Sequence, residues 1–108
     1  MRIKEVIYQR LFTFGWYSNE RIGFVAEIGP DEDPGQVLLQ LAEFAVDVHH
    51  VLDILRAIHD RIEYAAFREN KELTKELFKD LNEIRKLIRE GKLKVVIERY
   101  AGKYKGGD

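Results

Sequence analysis

The sequence contains no cysteine, and it has only two prolines, one methionine and one tryptophan in 108 residues. Without cysteine there is no disulfide framework and no thiolate to act as nucleophile or metal ligand. No apolar run approaches the ~18 residues of a membrane span, and the N-terminus lacks the apolar core of a signal peptide. The expectation is a cytoplasmic protein with no membrane partner. Nor does one sign of charge dominate: the net charge is −1, which gives no global attraction to nucleic acid. Hydroxyl nucleophiles are scarce too. Ser18, Thr13 and Thr74 stand without a histidine at a telling spacing, and no glycine-rich phosphate loop is present. The sequence therefore predicts no enzyme and no cofactor.

What the chain does have in excess is charge. Charged residues make up 34%, against about 25% in ordinary soluble domains. Together with the missing cysteine and near-missing methionine, this fits the composition of thermophile proteins. The charge is unevenly spread. Residues 29–69 carry nine acids against three bases, and residues 92–108 carry five bases against two acids. The length suits one small domain over residues 1–100, followed by a glycine-rich, basic and flexible tail over 101–108.

Residues 3–14, IKEVIYQRLFTF, are rich in β-branched and aromatic types and hold neither glycine nor proline. Both faces of such a strand are partly apolar, which suggests a central position in a sheet. Turn residues Gly15, Ser18 and Asn19 follow, and then Ile22, Phe24, Ala26 and Ile28 alternate with Arg21, Gly23, Val25 and Glu27. The reading is a β-hairpin.

The acidic segment Pro30-Asp31-Glu32-Asp33-Pro34 raises the question of a metal or basic-partner site. Helix-start chemistry accounts for it better. Asp33 suits an N-cap, Pro34 falls at the first helical position, Gln36 completes a capping box, and Asp31 and Glu32 complement the helix dipole. From there Val37, Leu41, Phe44, Val48, Val51, Leu55, Ile58, Ile62 and Ala65 are spaced by alternating fours and threes. This is an a/d heptad pattern, with a second apolar line through Leu38, Ala42, Ala45 and Leu52 beside it. A helix from Pro34 to Phe67 is about 50 Å long. The pattern slips phase at residues 68–71, where Asn70 can cap a second helix carrying Leu73, Leu77, Leu81, Ile84 and Ile88 and ending at Gly91. Last, LKVVIERY (93–100) reads as a third strand with Leu93, Val95 and Ile97 on one face. The resulting expectation is an α+β fold of order ββααβ, with a three-stranded antiparallel sheet and a long helical hairpin on one face.

The run YSNERIGFVAEIGPDEDPGQVLLQLAEFAV is similar to a pattern in small proteins of archaea and phages. It comprises an aromatic (Tyr17), Asn19, Arg21-Ile22, alternating apolars ending in Ala26-Glu27, then Glu32-Asp33-Pro34 opening a helix. The resemblance covers about a quarter of the chain. It implies a hairpin running into an amphipathic helix, and it carries no catalytic residues.

Three binding readings arise from the residues. His49, His50 and Asp53 sit three or four apart, close enough on a helix to share an ion, although helical surfaces place acids and histidines together by chance and the second helix offers no histidine. Arg10, Trp16, Tyr17 and Arg21 on the hairpin, with Lys94, Arg99, Lys103 and Lys105 on the expected third strand and tail, make a candidate stacking platform for nucleic acid. Against it, aromatic strand residues usually face a core. The third reading rests on helix length. The second helix is about 20 residues against about 34, and so leaves roughly 20 Å of the heptad seam uncovered. That mismatch favours a homodimeric interaction module joined through Val48, Val51, Leu55, Ile58 and Ile62, or one offering that seam to a protein partner.

Overall fold

The computed structural model describes residues 3–14 and 18–104. Strands β1 (Glu5–Phe14) and β2 (Ser18–Glu27) precede three helices, α1 (Pro34–Phe67), α2 (Lys71–Arg89) and α3 (Leu93–Tyr100). The chain divides into two compact units, one up to His49 and one from His50, with the division inside α1.

In the first unit β1 and β2 pair antiparallel in a continuous register from Glu5↔Glu27 to Phe14↔Ser18, and the Ile28 amide extends the ladder to the Lys4 carbonyl (2.8 Å). Side chains alternate across the two faces of this ribbon. The face holding Phe12, Ile22 and Ile28 is buried, together with Val37 and Ala45 of α1. Aromatic contacts tie hairpin to helix. The Phe12 and His49 rings stack with centroids 4.3 Å apart, and Phe24 meets Phe44 at 4.9 Å. The acidic segment is indeed a turn and a cap: Glu32 Oε1 accepts the Gly29 amide (2.8 Å) and Asp33 Oδ2 accepts the Gln36 amide (3.1 Å).

The second unit is helical. Val51, Ile54, Ala57, Ile58 and Ala65 of α1 share one core with Leu77, Leu81, Ile84 and Leu87 of α2 and with Val96, Tyr100 and Tyr104. Two helix ends close the links between these elements. Asn70 donates to the Ala65 carbonyl and Glu69 to that of Ala66, and one helix later Lys92 donates to Leu87 and Gly91 to Ile88. Both are Schellman motifs, and both need a left-handed residue, supplied by Glu69 (φ 54°) and Gly91 (φ 73°). Asn70 then caps α2 by accepting the Leu73 amide on Oδ1 (3.1 Å).

The three-stranded sheet is not found. The sheet has two strands, and residues 93–100, expected as the third, form α3. Eight residues are too few for periodicity to decide. Leu93, Val95 and Ile97 fit a strand, but Leu93, Val96, Ile97, Tyr100 and Tyr104 fit a helix equally well. Packing chooses the helix, because only that spacing puts Val96, Tyr100 and Tyr104 together in the core. Residues 101–104 are accordingly no frayed tail: Tyr104 is 1% exposed.

Candidate functional site

From Val51 to Ala65 the heptad seam is covered from within the chain, whereas Phe44, earlier in the seam, is 45% exposed. In the second unit Val51 and Ile58 are buried and Leu55 and Ile62 pack against the same core. Ile54 and Ala57, outside the expected stripe, are buried as well. The buried face of α1 is wider than a coiled-coil seam because α2, α3 and Tyr104 all pack against it. A comparison of α1 with α2 alone leaves out α3 and Tyr104, whose residues share this core. Residues 51–62 are thus engaged in the fold of their own chain, and Val48, partly buried, belongs to the first unit.

The nucleic-acid candidates do not gather on one sheet. Arg10 lies in the hairpin with its guanidinium over the Phe12 ring (4.8 Å to the centroid), and Arg21 is exposed on β2. Lys94, Arg99 and Lys103 are on or just after α3, in the other unit. Trp16, Tyr17 and Lys105 lie outside the described residues. Two of the cations already have acidic partners. Arg99 Nη1 is 2.6 Å from Glu83 Oε1, and Lys103 Nζ is 2.7 Å from Asp80 Oδ2 and 3.7 Å from Glu76 Oε1.

Those pairs belong to a polar latch that holds the end of the described chain. The Tyr104 hydroxyl donates to Asp80 Oδ2, and the Arg61 guanidinium donates to the Lys103 carbonyl (2.8 Å) while lying 4.9 Å from the Tyr104 ring centroid. Burial raises the Asp80 carboxyl, but the hydrogen bonds from Lys103 and Tyr104 outweigh it and leave it below the usual carboxylate value. Burial and the same Asp80 bond push Tyr104 up to about 12. Tyr100 is raised still more by burial and by Glu83. A phenol held neutral and a carboxylate held charged make a structural clasp, and nothing in the pair acts as a base near neutral pH.

His49, His50 and Asp53 lie within about one turn of α1. The His49 ring is committed to Phe12 in the first unit, and among the described residues no three His, Asp or Glu side chains stand close enough to hold a metal. An open groove of about 660 Å³ sits at the α1–α2 corner, lined by residues such as Ala65, Asn70, Lys71 and Thr74. It converges on no reactive pair, and the Asn70 side chain is already used as the helix cap.

Several large apolar side chains stay exposed, among them Leu39 and Phe67 of α1 and Phe78 of α2, and one face of the hairpin gathers four more that sequence reasoning left unassigned. The outer face of the hairpin carries Ile3, Ile7, Leu11 and Val25, each more than half exposed, with Ile7 and Val25 directly paired across the ladder at 61% each. The signal was present in the sequence as a strand apolar on both faces. The expectation from it is a central strand, but the sheet has only two strands. Among the described residues no helix is long and apolar enough to cross a membrane. Comparison with protein-family models, with the curated proteins and with the solved structures found no match.

Proposed function

We propose that this chain is a small protein-association module in which the outer face of the hairpin makes the contact. The observation that carries the reading is a contrast in exposure. The heptad residues 51–62 are occupied by α2, α3 and Tyr104, while the Ile7–Val25 face stands open to solvent. Exposed apolar side chains gathered on one face cost solubility, and such faces usually mark contact surfaces. A two-stranded ribbon is also marginal in water unless something packs on it. Here α1 supports one face, and an associating protein would support the other. The pairing of Arg99 and Lys103 with carboxylates weighs against the nucleic-acid reading, which needs those cations for phosphate.

A photo-crosslinking amino acid placed at position 7 or 25 tests the proposal in the cells that make the protein. Crosslinked protein species are expected from both positions and not from position 86, on the exposed side of α2. An absence of crosslinks from 7 and 25 would overturn it.

A further inference from the structure

We infer that the occupant of the hairpin's outer face is a second copy of this chain, stacked face to face with its strands running antiparallel to the first. The inference rests on the association reading above and adds the identity and orientation of the partner.

The charges on that face carry the argument. Side chains on one face of the ribbon come from alternate residues, here the odd-numbered ones. At the open end Glu5 faces Glu27 directly across the ladder, and like charges placed so are mutually destabilising. Six residues further along β2, about 20 Å away at 3.4 Å per residue, stands Arg21, opposite Leu11. Between the two ends lie the Ile7–Val25 and Gln9–Gly23 pairs. The face is therefore acidic at one end, apolar in the middle and basic at the other.

Two copies of such a face can stack about a two-fold axis in two ways. With the axis along the strands, Glu5 and Glu27 meet their own counterparts and four carboxylates converge. With the axis across the strands, the acidic end of each copy lies over the basic end of the other. Only the second arrangement is self-complementary, and it places one Arg21 guanidinium over each of the two Glu5–Glu27 pairs in the interface. The two-fold then passes close to Gly23. That residue has no side chain of its own, and the Gln9 side chain lies across it, with Cγ 2.9 Å from the position a Cβ would take.

The area agrees with a real but modest contact. The four apolar side chains expose roughly 400 Å² together, within the range of patches that mark interaction sites. A pair of hairpins stacked face to face would bury on the order of 1,000 Å² in total, at the lower limit for a specific interface. The dimer is therefore a weak one, formed in the micromolar range and sensitive to salt.

Two complementary variants test it. Arg21→Glu makes the face wholly acidic at its charged positions, and Glu5→Lys/Glu27→Lys makes it wholly basic. By light scattering in dilute salt, wild type should reach twice its 12.7 kDa chain mass as concentration rises. Each variant alone should stay at the single-chain mass, and an equimolar mixture should recover the doubled mass. That recovery excludes misfolding of either variant as the cause of its failure to pair. A wild type that stays monomeric, variants that pair as readily as wild type, or a mixture that stays monomeric would each overturn the inference. Failure here is separable from failure of the module reading. A monomer that still crosslinks from positions 7 and 25 to a different protein removes the second copy and keeps the contact face, whereas a monomer with no crosslinks removes both.

Discussion

The Tyr104 hydroxyl donates to Asp80 Oδ2 at 2.5 Å, pinning the residue that follows α3 by four positions to the middle of α2. This bond contributes stability that is lost on the alkaline side, as does the still more strongly raised Tyr100. The Tyr104 phenol is raised from 10.0 to about 12, so its contribution is complete below pH 10 and is lost as pH rises through about 12. Lys103, raised chiefly by its hydrogen bond to Asp80, acts in the same direction. Denaturant melts across this alkaline range should show wild type losing stability and Tyr104→Phe losing distinctly less. Equal slopes in the two proteins would remove the latch from the account.

Asp80 governs the acid side. Its carboxyl is held below its ordinary value of 3.8, so its contribution is present above that pH and disappears as pH falls through the folded value. Asp80→Asn should cost about 1 kcal/mol at neutral pH, since the bonds are only partly shielded from water. It should also flatten the acid limb of the stability profile, read by thermal melts from neutral to acidic pH.

The two Schellman ends make opposite predictions from one geometry. Glu69 and Gly91 both occupy left-handed backbone, where a side chain costs about 1 kcal/mol. Glu69→Gly should therefore stabilise by up to about 1 kcal/mol, and Gly91→Ala should destabilise by a similar amount. A Cβ at Gly91 meets nothing within 4 Å, so that cost comes from the backbone alone. Urea unfolding of the two variants checks both signs together.

Ile58 is fully buried among residues of the helical core. Ile58→Ala should cost about 3 kcal/mol. The oligomeric mass of the folded variant, measured at the same concentration, should equal that of wild type. A variant that is thermally unchanged but loses self-association would restore the heptad seam as an interface.

Much of the fold is legible in the sequence wherever local chemistry is decisive. Asp33 and Asn70 announce helix starts because few other residue types accept amide protons so well, and Gly91 announces a left-handed stop. Glu69 does the same work as Gly91 without a glycine, so the end of α1 shows only as a slip of phase. The last helix was misread because Val95, Val96 and Ile97 favour strands intrinsically, while the core they enter is assembled from residues tens of positions away. The candidate site was hidden for a related reason. Periodicity identifies which residues of the hairpin and of α1 are apolar, but not which neighbours cover them.

The most direct measurement is amide hydrogen exchange at low and high protein concentration. Association through the hairpin should slow exchange in peptides spanning 3–14 and 18–27 as concentration rises, because pairing suppresses the local opening of a marginal ribbon. Peptides within 51–65 of α1 should exchange at the same rate at both concentrations. Concentration-dependent protection confined to 51–65, or none in the hairpin, would contradict the account.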